Sequence, residues 1–218
     1  MSQGYDLIVF DWDGTLLDST AVIARCIIAA SRDLGLDEPS EERARHVIGL
    51  GLIDALRHAV PDLPLSEYPR MSERYRHHFL ASGHELSLFP GAVETLGWLS
   101  GQGRMLGVAT GKSRAGLNQA LLESGLGPFF QATRCADECF SKPHPAMLEE
   151  LMDELGVEPS RTLMVGDTTH DLQMARNAGV AALAVGFGAH PVPVLLAEAP
   201  LACVRTPAEM GSWLRTHA

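Results

Sequence analysis

The hydrophobic pattern of this chain falls into three stretches. The first is a continuous apolar run, Leu7-Ile8-Val9-Phe10, followed at once by Asp11, Asp13 and Gly14. Four β-prone residues closed by a glycine turn predict a buried strand. The second stretch has helical periodicity. A helix is expected from about Ala21 to Leu34, capped by Asp18 or Ser19 and ended by Gly35. Another starts at Pro39-Ser40-Glu41-Glu42, and the period continues through Leu52-Ile53-Ala55-Leu56 and Met71-Tyr75-Phe79. No strand-like alternation appears before Leu86. Phe89-Pro90-Gly91 breaks the pattern and opens the third stretch, where strands and helices alternate.

In that third stretch, strands are expected at Met105–Ala109, Phe129–Arg134, Thr162–Val165 and Ala181–Val185. Helices are expected at Ala92–Leu99, Ser113–Leu122, Pro145–Leu155 and Leu172–Ala178. The tail predicts a short helix, a strand at Leu201–Val204 and a helix from Pro207. Short apolar strands alternating with helices imply an α/β, Rossmann-like parallel sheet covered on both faces. The expected organisation is a core of residues 1–17 and 89–218, interrupted by an α-helical insert of residues 18–88.

Composition narrows the class without choosing a function. The 218 residues are 46% hydrophobic and 20% charged, with a formal net charge of −10. That charge argues against nucleic acid or an anionic membrane as partner. The N-terminus does not read as a signal peptide, and the most apolar window, Gly179–Ala189, is too short to span a bilayer. The expected location is the cytoplasm, with monomer or homodimer left open. Cys26, Cys135, Cys139 and Cys203 form neither a disulfide framework nor a zinc spacing. Lysine occurs only at Lys112 and Lys142.

The polar residues that follow the strands carry the chemistry. Asp11 and Asp13 are two apart in an extended chain and leave it on one side. The same Asp-x-Asp-Gly run could be a turn or half a calcium loop, but the EF-hand spacing fails. Thr110-Gly111-Lys112 offers a hydroxyl and approachable amides at a helix start, an anion site. Ser141-Lys142-Pro143-His144-Pro145 holds Lys142 on a stiff stem. In Gly166-Asp167-Thr168-Thr169-His170-Asp171, a helix starting near Thr168 puts Asp167 and Asp171 one turn apart. The bland reading of that pair is helix capping by Asp167 beside a solvated Asp171, and of His170 a surface or capping histidine. A parallel sheet would gather all four stretches on one edge. Carboxylates crowded there repel unless a cation sits among them, and an all-oxygen site near a phosphate suits magnesium.

These four stretches, in this order, resemble the four motifs of the haloacid dehalogenase superfamily. The insert looks like that superfamily's small helical cap, and Ala175-Arg176-Asn177-Ala178-Gly179 looks like its phosphoglycolate phosphatase branch. The resemblance implies a magnesium-dependent phosphomonoester hydrolase acting on a small phosphorylated metabolite, with 2-phosphoglycolate as the leading substrate. Asp11 would be the nucleophile and Asp13 the acid and base. Asp11, Asp167, Asp171 and the backbone carbonyl of Asp13 would serve the metal, and Thr110, Gly111 and Lys142 the phosphoryl oxygens. Trp12 replaces the more usual aliphatic residue, with its side chain expected to point away from the aspartates. Asp13 argues against a dehalogenase, because a halide needs no proton. An insert without lysine argues against phosphonate cleavage. Sugar-phosphate phosphatases and mutases share the paired aspartates and stay open. A phospho-accepting signalling module is the alternative from another class. Substrate choice is expected from the loop Arg45-His46-Val47-Ile48-Gly49-Leu50-Gly51, with Arg45, His46 and Gly49 as candidates, and from Lys112.

Overall fold

The computed structural model describes residues 4–218; the first three residues of the expected core segment lie outside the described residues. Its frame is a six-stranded sheet of order β5-β4-β1-β6-β7-β8, in which every neighbouring pair is parallel. The strands are β1 (Leu7–Phe10), β4 (Met105–Thr110), β5 (Ala132–Cys135), β6 (Thr162–Gly166), β7 (Ala181–Val185) and β8 (Ala202–Val204). Successive residues of a strand face opposite sides. Ile8, Phe10, Leu106, Val108, Leu163 and Val165 therefore meet one helical layer, formed by α5 (Ala92–Gly101), α6 (Arg114–Ser124) and α10 (Pro207–His217). Leu7, Val9, Ala109, Met164 and Ala184 meet the other, formed by α7 (Ala146–Leu155), α8 (Thr169–Asn177) and α9 (Val192–Ala197). Burial on both faces explains why the strands read as unbroken apolar runs.

The order of the sheet fixes where a site can form. The chain leaves β1, builds β4 and β5 on one side, then crosses to β6 on the other. The carboxyl end of β1 is thus the switch point, where connections diverge and leave a crevice. Asp11 follows β1 directly and its amide donates to the carbonyl of Val165 at 2.9 Å.

Between residues 18 and 88 lie α1 (Thr20–Asp33), α2 (Glu41–His46), α3 (Leu52–Ala59) and α4 (Tyr68–Ala81). They close on an apolar cluster of their own, containing Ile23, Ile27, Ala44, Leu56, Tyr68 and Met71. One residue of the α/β layer system, Ala189, packs into the same cluster. Exposed ion pairs such as Arg74–Asp33 at 2.6 Å cross from α4 to α1.

Three local expectations need correction. The two connections to the helical insert pair as short antiparallel strands, β2 (Leu17–Asp18) and β3 (Ser87–Leu88). Two residues are too few to show an alternating pattern, so these strands were invisible in the sequence. The stretch from Phe129 is only partly strand: Gly127–Phe129 is a 3-10 turn and β5 begins at Ala132. Ser19 stands at the N-cap position of α1 but its hydroxyl does not cap the helix; it turns to Asp13 instead. The cysteines are all unpaired thiols, as their spacing implied.

Leu56 is fully buried in the insert's cluster. Leu56→Ala should lower stability by about 2–5 kcal/mol through lost burial and the cavity left behind. Chemical denaturation of the variant beside the wild type would measure this.

Candidate active site

The site is assembled from the ends of β1, β4 and β6 and the connection after β5. Asp11 and Asp13 leave β1, and Gly14 then turns the chain back with φ +87°. A side chain at Gly14 would be strained and would also run into Asp167 and Thr20. The turn lets the Gly14 amide donate to the Leu17 carbonyl at 2.8 Å and brings Thr15 to Asp167, whose Oδ1 accepts from Thr15 Oγ1 at 3.0 Å. Trp12, between the aspartates, is fully buried in the sheet's core and meets Phe130 edge-on at 6.4 Å.

Asp11 and Asp13 have different surroundings. Lys142 Nζ lies 2.5 Å from Asp11 Oδ1 and 2.6 Å from Asp171 Oδ1. All three side chains are essentially sealed from solvent. Asp13 instead accepts from Ser19 Oγ at 2.7 Å and pairs through Oδ2 with Lys112 Nζ at 3.0 Å. The chain's two lysines are thus divided, one to each aspartate of the first motif.

Asp167 and Asp171 adopt neither bland role. Thr168, not Asp167, caps α8, and Asp171 completes a capping box. Asp171 Oδ2 accepts from the Thr168 amide at 3.0 Å and its hydroxyl at 2.7 Å. Both aspartates are fully buried. Asp167 Oδ2 accepts from the Ala189 amide at 2.7 Å. Oxygens of Asp11, Asp167 and Asp171 lie within 4.8 Å of one another, and Asp11 Oδ2 is buried with no hydrogen-bond partner among the described residues. The carboxylate of Asp13 is not in that group.

Burial and crowding set the protonation of this cluster. Burial, followed by the charges of Asp171 and Asp13, pushes Asp11 up to about 7 although Lys142 opposes it. Burial, with Asp11 and Asp171 nearby, raises Asp167 well above the usual carboxylate range. Burial alone would discharge Lys142, but the attraction of Asp11 and Asp171 wins and raises it. An unpartnered buried oxygen among three carboxylates held apart from water fits a hard divalent cation, which would restore the charged forms.

Thr110 ends β4, buried, with its hydroxyl accepting from the Lys112 amide at 3.2 Å. A side chain on Gly111 would strike the carbonyls of Gly49 and Leu50, so the insert's loop rests on this turn. Gly49 itself has φ +94° and faces Thr168. The Gly51 amide donates to Ser141 Oγ at 2.8 Å. His46 supplies its backbone carbonyl to Nε2 of both His170, at 2.9 Å, and His190, at 3.0 Å, and its ring stacks on His190 at 4.8 Å. His170, in the first turn of α8, thus contacts the insert at His46. Arg45 pairs with Glu41 at 3.0 Å and donates to Thr20 Oγ1 at 3.2 Å. A cleft of about 430 Å³ opens beside Lys142, lined by His46, Leu50, Phe140 and His144. Sequence reading missed Thr15, Ser19, Ala189 and His190. Of these, Thr15 closes the first motif and Ser19 was expected only as a helix cap, whereas Gly188-Ala189-His190 carries no recognisable signal.

With this geometry in view, comparison with known proteins identifies the family. The family pattern described as haloacid dehalogenase-like hydrolase matches residues 8–185. The chain belongs to that family. It is 39% identical over 210 residues to "Probable phosphatase IndB" of Dickeya dadantii, covering 94% of this chain and 91% of that protein. It is 33% identical over 197 residues to the phosphoglycolate phosphatase of Aliivibrio fischeri, covering 86% and 87%. A crystal structure of a predicted phosphoglycolate phosphatase from Haemophilus somnus superposes with a TM-score of 0.84 at 28% identity, covering 98% of this chain and 99% of that one. This chain is accordingly a phosphatase of the family, a phosphoric monoester hydrolase. Among the described residues, no helix is long and apolar enough to cross a membrane.

Lys142→Met would leave two buried carboxylates facing each other. Removing one partner of such a cluster costs about 3–5 kcal/mol. The folded value of Asp11 lies above its ordinary 3.8, so between 3.8 and about 7 the folded protein holds a proton that the unfolded chain has released. Its contribution to stability therefore falls with rising pH across that window and levels off above it. The loss on Lys142→Met should be largest near pH 8 and smaller near pH 5, where Asp11 is neutral. Urea melts at the two pH values would test both signs.

Proposed function

We propose that this phosphatase hydrolyses 2-phosphoglycolate to glycolate and phosphate through a phosphoryl group carried on Asp11, with magnesium as cofactor. The observation that carries the reading is the division of labour between two adjacent carboxylates. Asp11 is sealed in, held at one oxygen by Lys142 and unpartnered at the other. Asp13 stands apart from the buried cluster, oriented by Ser19. The substrate comes from likeness to the phosphoglycolate phosphatases.

In the first step an Asp11 oxygen bonds to phosphorus as the ester P–O bond breaks. The electron pair passes to the leaving oxygen, which takes a proton from Asp13. In the second step Asp13 removes a proton from water, which attacks the same phosphorus. The P–O bond to Asp11 breaks, restoring the carboxylate and releasing phosphate. Thr110, the Gly111 amide and Lys142 hold the phosphoryl oxygens through both steps. The carboxylates of Asp11 and Asp167 would hold the magnesium ion, with the backbone carbonyl of Asp13, and Asp171 would orient the set. The ion supplies positive charge against the phosphoryl oxygens. The helical insert acts as the cap: contacts of its 46–51 loop with Gly111 and Ser141 exclude water over the reacting group. Arg45, tied to Thr20, and His46, stacked on His190, belong to the cap segment that would select the substrate.

Phosphate release from 2-phosphoglycolate should require magnesium and exceed release from sugar phosphates and nucleotides; faster turnover of that panel would overturn the substrate assignment. Asp11→Asn should reduce kcat at least about a thousandfold. Magnesium should also raise the Tm of the wild type, more at pH 8 than at pH 5, because protons and the ion compete for the same oxygens. Thermal melts with and without the ion measure this independently of turnover.

A further inference from the structure

Lys112 belongs to the turn that grips the phosphoryl group by its backbone, yet its side chain leaves that turn. Its amide donates to Thr110 Oγ1, and its carbonyl accepts from the Ala136 amide at 3.0 Å. Both fix the stem. The ammonium reaches Asp13 Oδ2 at 3.0 Å and lies 4.9 Å from the centre of the Phe79 ring on α4. The Lys112 side chain is only 12% exposed. Tyr75, one turn earlier on α4, stacks on Phe79 at 5.8 Å. Burial, followed by the charge of Asp13, raises its phenol well above the ordinary value. Lys112 thus joins Asp13 to the aromatic pair on α4.

The leaving group must lie next to Asp13. Under the reading above, phosphorus meets Asp11 while the ester oxygen meets Asp13. Atoms one or two bonds beyond that oxygen then fall beside the Lys112 ammonium. Lys142, between Asp11 and Asp171, serves the phosphoryl group, so Lys112 is the remaining lysine for a charge on the leaving group. While it pairs with Asp13, it competes for the oxygen that must serve the ester. An anionic leaving group draws it off; a neutral one does not.

We propose that Lys112 is the specificity-determining residue of this phosphatase, binding a carboxylate on the leaving alcohol close to the ester oxygen. The site is thereby directed to short phosphorylated hydroxy acids. Binding of that carboxylate frees Asp13 Oδ2, so the substrate's own charge prepares the acid that protonates it. The proposal rests on the aspartyl-phosphate reading of Asp11 and Asp13 and names the substrate class for that site.

The test compares kcat/KM for 2-phosphoglycolate with that for ethyl phosphate, which keeps the two-carbon alcohol but lacks the carboxylate. The wild type should prefer 2-phosphoglycolate. Lys112→Met should reduce that preference by about tenfold or more, in line with the loss of a charged hydrogen bond. Lys112→Arg should retain most of it. Thermal melts of both variants establish that they fold. Equal losses on both substrates, or a preference unchanged by Lys112→Met, would overturn the proposal and leave the phosphatase mechanism standing. A wild type with no preference for 2-phosphoglycolate over ethyl phosphate would instead remove the substrate assignment itself.

Discussion

The sheet's carboxyl edge holds a concentration of negative charge that a dry interior does not tolerate by itself. Asp11, Asp167 and Asp171 sit within 4.8 Å of one another with essentially no access to water. What makes this possible in the protein alone is one ammonium, Lys142, set between two of them. A buried ion pair of this kind is weak evidence for stability, because desolvation offsets much of the attraction. Its worth lies in holding a carboxylate in a fixed place with one oxygen free. Asp11 Oδ2 carries that freedom, buried with no hydrogen-bond partner among the described residues.

The rest of the molecule can be read as support for that arrangement. Parallel pairing of β1 with both β4 and β6 brings Asp11, Thr110 and Asp167 to a common edge from distant parts of the chain. The capping box of α8 fixes Asp171 from its own helix start. Thr15 and the Ala189 amide between them occupy both oxygens of Asp167. The helical insert closes over this from above, pressing the carbonyls of Gly49 and Leu50 against a position where only glycine fits.

Much of this was legible before any coordinates. Unbroken apolar runs announced buried strands, and each strand's final polar residues announced the edge where charges would meet. Asp11, Thr110, Lys142, Asp167 and Asp171 do converge, because parallel topology leaves them no other edge. Other features depend on distances that a sequence does not encode. Lys112 and Asp13 belong to separate motifs, and only the course of two strands makes them partners. Ser19 has the residue type of a helix cap, yet its hydroxyl finds the nearer carboxylate. Ala189 has neither charge nor motif, since its role is played by a backbone amide. The paired strands β2 and β3 are each two residues long, beneath the reach of any periodicity.

Ala189 also bridges two parts of the structure that differ in character. Its side chain packs among the apolar residues of the inserted helices, while its amide is bound to a carboxylate at the edge of the sheet. Without those helices the methyl group would lose its apolar neighbours and face water. The inserted helices and Asp167 therefore meet at one methyl-bearing residue, and a bulkier side chain there would disturb both at once.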